Sequence, residues 1–205
     1  MQQKERAPKK SAEASRPGLS IDIIVDTACE LIAESGTEQL TMRKLSERLG
    51  VALGATYHYV PNRDGLLTLV AERINKSIPL RSTDPKEWRS TLRALLIDFA
   101  TTFARYPGMA NFHVANVEAT GPAGTRDELQ GLMRSAGFST DSFNTVLAAL
   151  FFYAAGVTAT GLLDHDQPGL SRKMVLRSFE EGVDMLLDGA AVRLRSDKKA
   201  RRERA

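Results

Sequence analysis

Residues 40–67 read LTMRKLSERLGVALGATYHYVPNRDGLL. Thr41 stands where its hydroxyl can accept from an orphan amide of the next turn, and Leu45 and Leu49 follow four residues apart on one helical face, so a short helix begins here. Gly50 can take the left-handed conformation that stops such a helix, and Val51 is placed to turn inward before ALGATYHY starts a second one. The pattern is helix, tight glycine turn, helix. In a helix-turn-helix the second helix enters the major groove of DNA, so it needs small residues near its start and hydrogen-bonding side chains beyond. Gly54 and Ala55 meet the first need; Thr56, Tyr57, His58 and Tyr59 meet the second.

These residues resemble the TetR (tetracycline-repressor-like) family of transcriptional regulators. The matching pattern comprises Leu40, Arg43, Gly50, Val51, Gly54, Tyr57, Tyr59, Val60, Pro61, Asn62, Arg63 and Leu66, and the likeness covers roughly residues 20–75. The resemblance implies an all-α protein, with an N-terminal three-helix helix-turn-helix DNA-binding domain followed by a helical ligand-binding and dimerisation domain. It implies that Thr41, Tyr57 and Arg63 hold phosphates, and that Arg43, Ala55, His58 and Tyr59 lie near bases or the groove wall. Leu53 falls where the family often reads a base, and its readout would be apolar, since Leu cannot hydrogen-bond a base edge. Two positions depart from the family pattern. Ala52 replaces a capping Ser or Thr, which weakens one phosphate contact; Thr56 replaces a buried Leu or Ile, which implies a less tightly packed recognition helix.

The chain has 205 residues, 42% hydrophobic and 26% charged, an ordinary balance for a globular protein. Its net charge of +3 is unevenly spread: residues 1–20 contribute +3, residues 193–205 contribute +5, and the stretch between them is acidic. Basic tails would add salt-dependent, sequence-independent affinity for DNA, or serve only solubility. The single cysteine, Cys29, lies on an apolar helical face and excludes a disulfide within the chain, which fits a reducing cytoplasmic setting. Core packing is the expected role of Cys29, ahead of redox sensing. The charged, proline-containing start lacks the apolar run of a signal peptide.

Four regions follow from composition and periodicity: a disordered basic arm over 1–19, the DNA-binding domain over 20–66, the ligand-binding and dimerisation domain over 67–190, and a disordered basic tail over 191–205. Ser20 caps a first helix whose inward face is Ile21, Ile24, Val25, Ala28, Leu31 and Ile32, ended by Gly36. Asn62 caps another helix running to about Ile78, the natural lever between the two domains. Asp84-Pro85-Lys86-Glu87 starts a long helix that Tyr106-Pro107-Gly108 stops. A short helix to Val117, a Gly/Pro break at 121–124 and a helix ending at Gly137 come next. Phe143 to Leu163 is apolar almost all round and as long as a membrane span. The polar Asn144, Thr145, Thr158 and Thr160 interrupt it and flanking basic anchors are absent, so a buried helix is expected and no membrane partner. The last helix is expected from about Ser171 to Leu187.

Trp88, Phe99, Phe103, Met109, Phe112, Met133 and Phe152 lie on helices that would converge on one interior, with His113, Asn116 and Tyr153 as polar handles. Such a set can line a pocket for a small apolar or aromatic effector, or form plain core. In the resemblance the last two long helices of each subunit build a four-helix homodimer interface, here Val146, Leu150, Val175, Phe179, Val183 and Leu186. A dimer reads two half-sites, so the partner would be double-stranded operator DNA with an inverted repeat. No catalytic signature is found and no cofactor or resident metal is expected. Asp164-His165-Asp166 reads as a solvated turn. The competing reading is an architectural DNA-binding protein with no effector, whose helical domain serves only dimerisation.

Overall fold

A computed structural model describes residues 18–116, 124–163 and 166–204. Most of the expected N-terminal arm, Val117, the break at 121–123 and the pair Asp164 and His165 lie outside the described residues. Among the described residues there are nine α-helices and no strand.

The N-terminal helices follow their caps. Helix α1 (Ile21–Ser35) begins where Ser20 Oγ accepts from the Ile23 amide at 3.3 Å, and α2 (Met42–Leu49) where Thr41 Oγ1 accepts from the Lys44 amide at 3.1 Å. Gly50, at φ +68°, closes α2 in the left-handed region and turns the chain into α3 (Leu53–Tyr59). Asn62 Oδ1 then accepts from the Gly65 amide at 2.8 Å to start α4 (Arg63–Lys76). Ile24, Ala28, Leu45, Val60, Leu66 and Val70 are fully buried between these helices. Each large aliphatic among them stabilises the fold by about 1.5–3 kcal/mol. Leu49 and Val51, expected in this core, are half-buried.

This core does not stop at residue 66, where the sequence divides the domains. Val70, Ala71 and Ile74 of α4 belong to it, as do Phe103, Met109 and Ala110 from further along the chain. The apolar face of α4 continues past Leu67 at the same spacing, so the helix is shared between both units.

A 3₁₀ turn (Pro85–Glu87) leads into α5 (Trp88–Phe103), followed by α6 (Met109–Ala115), α7 (Thr125–Ala136), α8 (Thr140–Ala159) and α9 (Arg172–Glu203). These helices bury a second core that includes Leu92, Met133, Phe138, Phe143, Leu150, Phe179, Val183 and Leu187. Helix α8 is long and apolar enough to cross a membrane by length and composition. It packs inside the bundle, against α5, α6, α7 and α9.

Helix α9 overturns the expectation of a disordered tail over 191–205. Its buried stripe runs on through Ala190 and Leu194. Beyond it the Asp197 carboxylate accepts from the Ser139 amide at 2.9 Å and the Ser139 hydroxyl at 3.2 Å. The basic composition that suggests disorder consists of good helix formers, and apolar residues at four-residue intervals anchor them. Helices α8 and α9 are antiparallel: Asp197 sits at the start of α8, while Tyr153 stacks on Phe179 further along. The other end of α8, Thr158 and Ala159, borders a small cleft with Tyr106 and Gly108 beside the N-terminal unit. With about 1.5 Å of rise per residue, α8 puts about 30 Å between that end and the C-terminal basic cluster. The cluster therefore lies at the opposite end of α8 from that cleft.

Candidate nucleic-acid interface and effector cavity

Three surfaces bear on function. The first is the outer face of α2 and α3. Thr41, Arg43, Leu53, Gly54, Tyr57 and His58 are exposed together on it, with Tyr57 at 46% of its full accessibility and Leu53 at 42%. Arg43 is held upright by an exposed pair with Glu47, Nε to Oε1 at 2.8 Å. Lys44, absent from the expected set, is exposed too, and its Nζ donates to Gln39 Oε1 at 3.0 Å. Ala55 is half-buried.

Three residues of the expected set do structural work instead. Thr56 is fully buried and its hydroxyl donates to the Leu53 carbonyl at 2.7 Å. It takes the inward position of the Leu or Ile it replaces, satisfying its hydroxyl within the helix, so it faces the core and not a groove. Arg63 donates from Nε to the Leu40 carbonyl at 3.0 Å and from Nη2 to the Thr37 carbonyl at 2.6 Å. Those donors tie α4 to the chain entering α2, so the expected phosphate contact is not available to them. The Tyr59 hydroxyl donates to the Leu19 carbonyl at 2.7 Å and fixes the chain entering α1, although the ring is 42% exposed. The recognition pair is clamped to α1 as well: Arg48 of α2 makes a two-pronged pair with Glu34, at 3.0 and 2.6 Å.

The second surface is an open-sided cavity of about 850 Å³ lined by residues of α4 to α8. Of the expected ligand residues it gathers Phe99, His113 and Phe152. The others lie elsewhere. Trp88 packs edge-on against Phe138, with ring centroids 5.0 Å apart. Met109 and Met133 are fully buried in the two cores, and Phe103 is buried behind Phe99 and His113. Phe112 packs against the N-terminal core. The Asn116 amide donates to the Phe112 carbonyl, and Tyr153 stacks on Phe179 at 5.3 Å.

The cavity walls that sequence reasoning missed are Leu92, Leu95 and Leu96 on the face of α5 that carries the expected Phe99, and the face Asn144, Leu147, Ala148, Phe151 of α8. Both follow the spacing i, i+3, i+4, i+7, so helical periodicity carried the signal that residue type did not. At the floor, Asn75 of α4 and His113 of α6 stand 3.5 Å apart, Nδ2 to Nδ1. Burial lowers the pKa of His113 and keeps the imidazole neutral at pH 7. Among the described residues no group of three His, Cys, Asp or Glu could hold a metal ion.

The third surface lies on α8 and α9, and the expected dimer residues are not part of it. Val146, Leu150, Val175, Phe179 and Val183 are buried within the subunit and Leu186 is half-buried, because these residues form the inward stripe of α8 and α9. The outward stripe is different. It exposes Met174, Met185 and Val192 on α9, at 57%, 75% and 53%, and Phe152 on α8 at 69%. Small residues beside them, Ala149, Gly156 and Gly189, leave the helix backbones approachable.

Residues 24–70 match the family model of bacterial regulatory proteins, tetR family. The chain is similar to the class C tetracycline repressor protein of Escherichia coli, 31% identical over 140 residues, which is 67% of this chain and 64% of that protein's length. It is also similar to the class A tetracycline repressor protein from transposon 1721 of E. coli, 28% identical over 203 residues, covering 85% of this chain and 92% of the relative. Among solved structures, a TetR variant from Acinetobacter baumannii AYE in complex with minocycline superposes with a TM-score of 0.70 at 27% identity, covering 83% of this chain and 96% of that one. The helix-turn-helix, the helical domain behind it and these likenesses together establish that the chain belongs to the TetR family of bacterial regulatory proteins.

Proposed function

We propose that the protein is a sequence-specific DNA-binding transcriptional regulator that works as a homodimer on a palindromic operator and responds to a small apolar or aromatic effector. Repression is the mode its tetracycline-repressor relatives are named for, and effector binding would release the protein from its operator. The observation that carries the reading is the relation of α6 to both units. Met109 and Ala110 are buried in the N-terminal core, and His113, one turn on, lines the cavity. A ligand that moves α6 must repack the core on which α1, α2 and α4 rest.

The energetics are those of linkage. An effector that favours a conformation with wrongly spaced recognition helices weakens DNA binding by its preference for that conformation. Dimerisation through the exposed stripe of Phe152, Met174, Met185 and Val192 would bury apolar surface that the single subunit leaves in water, and would give the two-fold pair of recognition helices that an inverted repeat requires. Thr41, Arg43, Lys44, Tyr57 and His58 are the side chains offered to phosphates and base edges, with Leu53 offering apolar contact.

Selection of bound sequences from random duplex DNA, at roughly 150 mM salt to suppress non-specific binding, tests the reading. An enriched inverted repeat is the expected outcome. Binding without enrichment would favour an architectural protein that reads DNA without sequence preference.

A further inference from the structure

The cavity wall carries a charge asymmetry. Arg126 of α7 lines it, and no Asp or Glu does among the described residues. The guanidinium donates from Nη2 to Asn144 Oδ1 at 2.9 Å and lies 5.5 Å from the centroid of the Phe143 ring. Both neighbours are neutral, so they orient the group without neutralising it. No ion pair joins Arg126 among the described residues, whereas Arg81, Arg89 and Arg93 of the same unit all meet carboxylates. The floor of the cavity offers the uncharged Asn75 and His113, and the walls between are apolar.

The geometry points to an effector with an apolar body and one acidic group, the acid meeting Arg126 at the exposed side and the body lying between α5 and α8. This deepens the proposed function and rests on the cavity being its effector site. A planar guanidinium held by an amide and an aromatic face presents its remaining N–H donors as a fork, which suits a carboxylate or sulfonate. A cationic effector would meet Arg126 with no carboxylate to offset it, and a wholly neutral one would leave the guanidinium unused.

Two fluorescent probes of the same shape test this on the full chain: anilinonaphthalene sulfonate and its uncharged parent, N-phenylnaphthylamine. The sulfonate is expected to bind more tightly, with an affinity that falls as salt rises. Arg126→Gln should weaken the sulfonate about fivefold, the scale of an exposed charge pair, and remove most of its salt dependence. The same change should leave the neutral probe within about twofold. Arg126→Lys should restore part of the loss. Ala148→Trp, which puts an indole into the cavity from α8, should weaken both probes. If Arg126→Gln affects both probes equally or neither, the anion preference is overturned while the cavity stands as a ligand site. If Ala148→Trp leaves both unchanged, the cavity itself is not where such molecules bind, and the effector reading fails with it.

Discussion

Asn75 Nδ2 and His113 Nδ1 stand 3.5 Å apart and join α4, which leads to the helix-turn-helix, to α6 at the floor of the cavity. The pair suits an imidazole that carries its proton on Nε2 and accepts at Nδ1. Burial depresses the pKa of His113, so the folded state takes up a proton less readily than the unfolded chain, whose histidine titrates near about 6.5. The stabilising contribution is therefore complete above that value and is lost as pH falls from it through the lower folded-state pKa. Thermal unfolding should shift to lower temperature between pH 7 and pH 5, and His113→Gln should flatten that part of the profile. Identical pH profiles for both proteins would contradict the role given to this burial.

The exposed and the structural residues of the helix-turn-helix should separate cleanly on mutation. Arg43→Ala with Tyr57→Ala removes two exposed side chains, the first paired with an exposed Glu47, so operator binding should be abolished at physiological salt with dimer and melting temperature retained. Arg63→Ala removes the side-chain donors to the Leu40 and Thr37 carbonyls, the second of which keeps the Leu40 amide at 3.1 Å, and should cost about 1 kcal/mol of stability, a few degrees in Tm. Retained operator affinity in the double variant would mean that another surface reads DNA.

How much of this was legible from residues alone depended on whether the signal was local. Ser20, Thr41, Gly50, Asn62 and Gly137 act within a turn of their own positions, and each marks its helix boundary as expected. The role of Arg63 was not legible, since the carbonyls it binds lie 23 and 26 residues away. The dimer face was misread for a related reason. Val146, Leu150 and Phe179 are large apolar residues of α8 and α9, and each subunit buries them in its own core. Composition alone ends helix α9 too early because its Arg and Lys suggest disorder, while Leu194 and Asp197 continue its packing.

The outward stripe gives the corresponding test. Met185 is 75% exposed in the subunit and sits midway along the outer face of α9. Met185→Asp should leave the subunit folded and shift it toward monomer in sedimentation or light scattering, because a carboxylate buried at a two-fold contact meets its own copy. Operator affinity should fall with it. The conservative Met185→Leu should behave as wild type. An unchanged dimer in Met185→Asp would move the interface elsewhere.

Cys29 should be chemically quiet. It is half-buried between apolar residues, and burial together with the nearby Asp26 carboxylate pushes its pKa up to about 11, so the thiolate is scarce at pH 7. A thiol reagent should label the native protein far more slowly than the protein in denaturant, and Cys29→Ala should leave operator binding unchanged. Rapid labelling of the folded protein, with loss of DNA binding, would restore a redox role.

Gly108 lies in the turn before α6 that packs against Thr37 of the N-terminal unit. It adopts φ +84° at the start of α6, and a Cβ there would stand 2.1 Å from Thr37 Oγ1. Thr37 is nearly buried and its amide donates to the Pro107 carbonyl at 2.9 Å, so the turn before α2 is pinned to the turn before α6. Gly108→Ala adds a left-handed backbone penalty of about 1–2 kcal/mol, and relieving the contact requires the pinned turns to part. Stability should fall by at least that amount. The same separation should loosen α6 from the DNA-binding core, so effector should release the variant from operator less completely than wild type, even where both are fully folded. Full release from a merely destabilised variant would show that the signal travels through α4 alone.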